Sequence, residues 1–475
     1  MSKTITIEPI TKIEGHAKVT IQLDDNGNVN DAKFHVMEYR GFEKFMEGRM
    51  FWELPVITPR ICGICPVSHH LASVKACEDA LRLDIPITAK KLRELMHMGQ
   101  IIHSHSLHFF YLAAADLLFG PESDPVQRNI IGIIQANPEL AKNVIKLRKY
   151  GQKIIEFIGG RPIHPVTALP GGMSKALTHE ERYILSKEVD SIIAFCLNTV
   201  GLAKEFNSLY KDIISEFGTF KTKHMGLVNN GNLELYDGTL KMIDIDGNTL
   251  VEFDPRDYLD YIGEHVENDS WSKFTFYKPQ GYPEGTYRVA PLSRLNVAQK
   301  INTELANKEF QEFKQLNDNK PVQETFYYHY ARAIELLYAA ERAKQLLEDD
   351  DIVSKDVRVK VERMGGEGVG VIEAPRGTLI HHYAFDDIGK ITKVNIIVAT
   401  GHNNLAMNLS VKEIAKKYIK DGKFTEGILN RVEMGIRAYD PCLTCTTHAV
   451  GKMPLEIKLL DSKSVCIDVI TREES

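Results

Sequence analysis

The chain has 475 residues, 43% hydrophobic and 26% charged, which are globular values in a length too great for one ordinary core. Its net charge of −6 at pH 7 argues against a nucleic-acid surface, and no stretch approaches the roughly eighteen consecutive apolar residues of a membrane helix. The opening MSKTITIEPI has no apolar secretory core, which favours the cytoplasm, and seven cysteines in this length do not make a disulfide scaffold.

Residues 4–36 alternate in the manner of strands: TITIEPI, HAKVTIQL and VNDAKFHV, the last two joined by the hairpin signal Asp24-Asp25-Asn26-Gly27. Thr11-Lys12-Ile13-Glu14-Gly15-His16 links the first two runs; a solvated turn and a Glu turned into the interior are both open there. Tyr39-Arg40-Gly41-Phe42-Glu43 leads into a short helix. Arg60-Ile61-Cys62-Gly63-Ile64-Cys65-Pro66 then sets two thiols three residues apart, with Pro59 and Pro66 stiffening the turn. A helix opening at Ser68-His69-His70 runs to about Arg82. Residues 89–119 are strongly helical, with Thr88 as N-cap and Gly120-Pro121 as stop. His103, His105 and His108 in this helix do not share one face, so they do not make a metal site by themselves. Further helices are predicted at about 139–158 and 179–217, the second opened by the capping box Thr178-x-x-Glu181.

From 218 to 290 the composition shifts to Gly, Asn, Asp and Tyr, with short alternating runs that read as a β-rich insertion. Helix returns at about 323–349. The segments VRVKVERMGGEGVGVIEAPRGTLIHHYAFD and ITKVNIIVATGH read as strands around a glycine-rich turn. That turn lacks both the G-x-G-x-x-G spacing and a following Gly-Lys-Ser/Thr, so it is not read as a nucleotide site. Ser410-x-x-Glu413 is predicted to cap a helix to about Ile419, and a last helix at about 426–438 delivers the chain to Asp440. The expected fold class is α+β, a long-helix bundle core with small peripheral β-sheets. The expected segments of the 1–475 body are a β-rich 1–60, a helical bundle over 61–217, the insertion at 218–290, helices with a C-terminal metal-binding turn over 291–448, and a tail at 449–475.

The second thiol pair lies in Asp440-Pro441-Cys442-Leu443-Thr444-Cys445-Thr446-Thr447-His448. Two C-x-x-C pairs this far apart do not match compact zinc ribbons, whose halves lie roughly 15–20 residues apart. Neither pair sits in a thioredoxin-like context. Four thiolates from two rigid turns suit a soft-metal site inside a large fold. Cys77 and Cys196 lie in apolar helical runs and read as inert core thiols.

RICGICPVSHH at 60–70 and DPCLTCTTH at 440–448, with TKIEGH, RGFE, HFFYL, EAPRG and TGHNN between the termini, resemble the catalytic large subunit of nickel–iron hydrogenases. The likeness spans essentially the whole chain and is nearest the cytoplasmic NAD-linked bidirectional group, whose relatives include deazaflavin-linked and electron-bifurcating enzymes. It implies a Ni-Fe centre, carbon monoxide and cyanide on the iron, and the reaction H2 ⇌ 2 H+ + 2 e−. Cys62 and Cys442 match terminal nickel ligands, and Cys65 and Cys445 match the bridging sulfurs. Cys442 is the implied first proton acceptor and Glu14 the relay after it. Arg376, following Pro375, matches the arginine that overhangs the metals, with Asp440 as its support. Thr400 resembles the hydroxyl residue bonded to an iron cyanide.

Glu43, His448 and a backbone carbonyl near Ile396 match the ligands of a structural magnesium. Ser104 and His402 depart from the residues many relatives carry. Iron–sulfur clusters, flavin and NAD(P) are expected only on partners: a small subunit with iron–sulfur clusters, and diaphorase-type subunits. A maturation endopeptidase and nickel-insertion chaperones are implied too, with cleavage after His448 or Ala449. The alternatives are a non-catalytic structural subunit related to the respiratory complex I homologue, and a zinc-binding scaffold.

Overall fold

A computed structural model describes residues 3–446 and the backbone of two further strands, 455–460 and 466–472. Alternation builds the N-terminal antiparallel sheet β1 (Lys3–Ile7), β2 (Ala17–Leu23) and β3 (Val29–Val36), which buries Val19, Ile21, Phe34 and Val36 on its inner face. Asp24 closes the β2–β3 turn by accepting the amides of Asn26 and Asn28, and Gly27 takes the positive φ of 80° that the turn needs.

Helices α1 (Pro66–Leu81), α2 (Ile87–Leu107), α3 (Pro138–Gly159) and α4 (His179–Leu209) follow. α2 packs between α3 and the later helix α5 (Tyr328–Glu348), and α5 also lies along α4. The predicted 89–119 helix is not one α-helix. After Leu107 it passes through a π-helical turn, His108–Ala113, into a last piece, Ala114–Phe119. Thr88 is not its N-cap: the helix starts at Ile87 behind Pro86, and the Thr88 hydroxyl bonds Asp351 O on another element. The Thr178/Glu181 capping box forms as predicted. The predicted 179–217 helix breaks at Tyr210 into α4 and a short turn, Lys211–Ile214.

Between α4 and α5 the chain builds a five-stranded sheet around Lys223–Asn229 and Thr239–Ile243, and a two-stranded one, Ile262–Val266 with Lys273–Tyr277. After α5 come β4 (Gly366–Ala374), β5 (Gly377–Phe385) and β6 (Ile391–Ile397) in one antiparallel sheet, then α6 (Ala399–Tyr418) and α7 (Glu426–Tyr439). The mix of long helices and small sheets is the expected α+β class.

Four expectations in this half change. Residues 357–364, predicted as strand, form none beyond an isolated bridge from Arg358 to Gly172. The glycine-rich run is not a turn. Gly366, Gly368 and Gly370 alternate along β4 on the face that meets α1, where an added Cβ would lie 2.2 Å from Ala80 O, 2.2 Å from Ala80 N and 2.1 Å from Ala72 O. The absent side chains let helix backbone rest on strand backbone. Gly370→Ala is therefore expected to destabilise by about 1–3 kcal/mol or more through overpacking; a thermal melt of the purified variant checks this. Ala399–His402, predicted as strand, is the first turn of α6. Ser410 does not cap a helix but sits within α6, bonding Tyr439 and Thr325 in the core.

Candidate metal centre

Two turns from opposite ends of the chain meet. In the first, Cys62 follows a 3-10 turn, Thr58–Ile61, and Cys65 is the N-cap of α1, with Pro66 in the first helical position. The backbone N–H groups of Ile64 and Cys65 both donate to Cys62 Sγ at 3.3 Å. In the second, α7 ends at Tyr439 and Asp440 reverses the chain in the left-handed region, φ 55° and ψ 56°. Asp is one of the few residues that reaches this region at small cost. Cys442 then bridges to Glu14, with Leu443 N–H donating to Glu14 O at 3.1 Å, and the short helix Leu443–Thr446 carries Cys445.

All four sulfurs lie within 4.8 Å of one another. Cys62 faces Cys442 at 3.3 Å, Cys65 faces Cys445 at 3.5 Å, and Cys442 is 2.7 Å from Cys445. These separations exceed the ~2.05 Å of a disulfide, so the thiols are free. Burial pushes the Cys442 and Cys445 thiols well up, while hydrogen bonding from Cys442 first, then Cys445 and Cys65, holds Cys62 well below the usual thiol range. Four converging soft donors fit nickel and iron rather than magnesium or calcium. Among the described residues this is the one group of His, Cys, Asp or Glu close enough to hold an ion.

Arg376 stands over the thiols on the two-residue hairpin loop Pro375–Arg376, closed by the pair Ala374–Gly377. Its Nε donates to Asp440 O at 2.8 Å and its Nη2 to Asp440 Oδ1 at 3.1 Å. Nη1 is buried without a partner, and Arg376 lines a small cavity with Cys65, Cys442, Cys445, Thr400 and apolar Val398 and Leu379. Burial pushes the Asp440 carboxyl up, against the pull of Arg376 and Arg332. Thr400, in the first turn of α6, accepts Cys442 N–H at 2.9 Å.

Glu14 reaches the same thiol from the other side. Its Oε2 is 3.1 Å from Cys442 Sγ and accepts Thr444 N–H at 3.1 Å; its Oε1 accepts the Thr444 hydroxyl at 2.6 Å. The solvated-turn reading of this segment thus gives way to the inserted carboxylate. Gly15 is needed beside it: φ is 87°, and a Cβ there would lie 2.7 Å from Leu443 Cβ. Glu43 and Ile396 also meet, Ile396 N–H donating to Glu43 Oε1 at 2.7 Å. His448, their expected companion, and the expected cleavage point lie outside the described residues.

Several residues of the site had no assigned role in the sequence. Arg40 Nη2 donates to Ile61 O and to Thr444 O, tying the two cysteine turns together, and its RGFE motif was the available signal. Thr444 anchors Glu14 from inside the second C-x-x-C. Arg294, fully buried, donates to Ala374 O at 2.9 Å and Pro375 O at 3.2 Å, and so holds the loop that presents Arg376. Glu335 and Glu373 neutralise it, at 2.6 and 2.8 Å, and His105 Nε2 lies 3.0 Å from Glu335. Removing one member of such a buried charge set costs about 3–5 kcal/mol.

Residues 40–120 and 230–448 match a family model described as nickel-dependent hydrogenase, and residues 4–39 match one described as HoxL-like. The chain is 49% identical to a vhu-type F420-non-reducing hydrogenase chain of Methanococcus voltae, over 88% of this chain and 99% of that one. It is 42% identical to the NAD-reducing hydrogenase HoxS subunit beta of Cupriavidus necator, over 98% of this chain and 99% of that one. Its fold superposes on a crystal structure of an NAD+-reducing [NiFe]-hydrogenase in the H2-reduced state with a TM-score of 0.91 and 43% identity, covering 94% of this chain and 99% of the other. The Ni-Fe-Se hydrogenase of Desulfovibrio vulgaris Hildenborough superposes with a TM-score of 0.78 at 25% identity, covering 94% of this chain and all of that one.

Proposed function

This chain belongs to the nickel-dependent hydrogenase family as a catalytic large subunit, and from that premise we propose how its residues carry the reversible reaction H2 ⇌ 2 H+ + 2 e−. The observation that carries the assignment is the contact of Cys442 Sγ with Glu14 Oε2 at 3.1 Å inside the four-thiol cluster. Cys62, Cys65, Cys442 and Cys445 would hold the metals through their four thiolates. The nickel–iron centre supplies the Lewis acidity and redox chemistry that split H2 and take up its two electrons.

H2 is a very weak acid, so its cleavage needs a base beside the metals. Cys442 Sγ takes that proton and passes it to Glu14 Oε2. Thr444 fixes both oxygens of the acceptor, so no rotamer search precedes the transfer. Arg376 lines the cavity over the thiols with its Nη1 donors unpaired within the protein, and Asp440 locks the guanidinium plane. Lys cannot reproduce that fork. Arg376→Lys is expected to lower H2 oxidation about 10²-fold while leaving nickel content unchanged; metal analysis beside a dye-coupled H2 assay checks it. The apolar wall of the cavity and the Thr400 hydroxyl suit carbon monoxide and cyanide on the iron. Glu43 and the Ile396 carbonyl, with His448, are proposed to hold a structural magnesium.

Six cysteines are free among the described residues, and the two outside the cluster, Cys77 and Cys196, are buried thiols pushed far up by burial. Electrons therefore leave through a partner. The proposed partners are a small subunit with iron–sulfur clusters and diaphorase-type subunits that deliver electrons to NAD(P) or a related soluble acceptor, and the proposed location is the cytoplasm. No described helix is long and apolar enough to cross a membrane. Endopeptidase and nickel-insertion chaperones would complete maturation.

The deciding experiment is metal analysis and H2-dependent dye reduction on the complex purified without air. Nickel and iron with H2 uptake is the expected result. Zinc in their place, or neither metal in a matured complex, would mean a scaffold or a non-catalytic structural subunit.

A further inference from the structure

Between α2, α5 and the last turn of α7 lies a layer of buried polar side chains that the thiol site does not use. The α2 helix carries Ser104 and, four residues on at the start of the π-helical turn, His108; α5 carries His329 and Arg332 three residues apart. Each pair therefore shares a helix face. The rings of His108 and His329 stack, with centroids 5.6 Å apart and planes 19° from parallel. Both faces reach the end of α7. His108 Nε2 lies 2.6 Å from Arg437 O, and Arg332 Nη2 donates to Ala438 O at 2.9 Å. Arg437 O also accepts Asp440 N–H at 2.9 Å, so this layer abuts the reversal that sets Asp440 under Arg376.

The layer is under-satisfied. Ser104 Oγ, His108 Nδ1, His329 Nδ1 and Arg332 Nε are buried without partners, as are Arg376 Nη1 and Asp440 Oδ2 beside them. Each such orphan costs about 1–3 kcal/mol, and more when charged. Arg332 is 0% exposed, yet its bonds run to two carbonyls, Ala438 O and Tyr328 O, not to a carboxylate. A carbonyl only accepts, so His108 carries its proton on Nε2. Burial, first, and the nearby Arg332 and His329 keep the ring neutral. Its Nδ1 is therefore a bare lone pair.

We propose that this layer is a binding site for ordered water, which accepts from Arg332 Nε and donates to His108 Nδ1, and that Arg332 so hydrated is a positioning residue for Asp440 and the Cys442 turn. The donor and acceptor demands decide the ligand. A halide ion would satisfy Arg332 but has no proton for the His108 lone pair. A water molecule has both functions, and buried waters typically make about three such bonds. Arg332 then stays charged, braces the α7 terminus through Ala438 O, and adds its attraction for Asp440 to that of Arg376.

High-resolution diffraction from the assembled holoenzyme tests the site directly and does not depend on the hydrogenase reading. Ordered density within hydrogen-bond distance of both Arg332 Nε and His108 Nδ1 is expected. A dry layer overturns the proposal, and so does an anomalous peak there after a bromide soak, which would mark an anion. The positioning role rests on the hydrogenase reading and is tested by Arg332→Met, which keeps length but no donor, and Arg332→Lys. The Met variant is expected to lose the density, to lower kcat about 10- to 10²-fold at unchanged KM for H2, and to shift the nickel EPR signature. The Lys variant should recover most of both. If Met and Lys behave alike, Arg332 acts by volume alone and the role is refuted; if Met fails to fold, the wild-type density decides.

Discussion

Cys442→Ser is expected to abolish H2 uptake while the subunit still folds and joins its partners. The reason lies in what one sulfur does in this geometry. Cys442 Sγ is 3.3 Å from Cys62 Sγ, 2.7 Å from Cys445 Sγ and 3.1 Å from Glu14 Oε2, so in the proposed mechanism it serves at once as a metal donor and as the entry to the carboxylate. Serine keeps the size roughly and the hydrogen bond, but a hydroxyl is a hard donor with a pKa far above that of a thiol. It neither grips a soft metal nor accepts and releases a proton near neutral pH. The turn itself survives, because it is held by backbone: Cys442 N–H to Thr400, Leu443 N–H to Glu14 O, and Asp440 in its left-handed conformation. The measurement is H2-dependent dye reduction alongside gel filtration of the complex. Retained uptake in the serine variant would overturn the assignment of Cys442.

That division between backbone-held turn and chemically specific side chain explains what was legible in the sequence. Proline and glycine around Cys62 and Cys65 mark a rigid turn because their conformational limits are local. The capping box at Thr178 and the hairpin at Asp24 are legible for the same reason. Ser410 misleads because the same capping pattern can sit inside a helix, and its hydroxyl is claimed instead by Tyr439, whose position only the fold supplies. The alternating glycines at 366, 368 and 370 carry a period of two, which is a strand signal. Without side chains it looks like a turn until α1 is laid against it.

The site divides in the same way. The cysteines announce themselves by spacing, and four thiols have few uses other than a metal. Glu14 and Arg376 carry no such mark in their own segments; their roles were implied by the family likeness. Arg294 was invisible. It lies in PLSRLNV, an apolar helical stretch, and its two counter-charges are 41 and 79 residues away in the chain. A buried ion set is defined by distance in space, and composition holds no trace of it. The polar layer around His108 and Arg332 was unreadable for a related reason: each residue alone looks like an ordinary member of a helix, and only the joining of two helices with the end of a third shows that their polar atoms lack partners.

Glu14→Gln is the sharper test of mechanism, because it changes one proton and almost no shape. Glutamine can still accept Thr444 N–H through its carbonyl oxygen, and its amide N–H can donate to the Thr444 hydroxyl, which then turns from donor to acceptor, so the side chain stays positioned. The thiol cluster is untouched, and metal content should match the parent. What is lost is an oxygen that can take a proton from Cys442 and give it up again. General acid–base groups contribute about 10²–10⁴-fold, and H2 oxidation and H2/D+ exchange should fall by that order. Because the metals remain, electron transfer from an artificial reductant into the complex should be unaffected, which separates a proton block from a damaged centre. Glu14→Asp retains a carboxylate on a side chain one methylene shorter. It is expected to recover part of the exchange rate, since the proton must then cross a longer gap from the sulfur. Exchange at the parental rate in Glu14→Gln would show that the proton leaves Cys442 by another path.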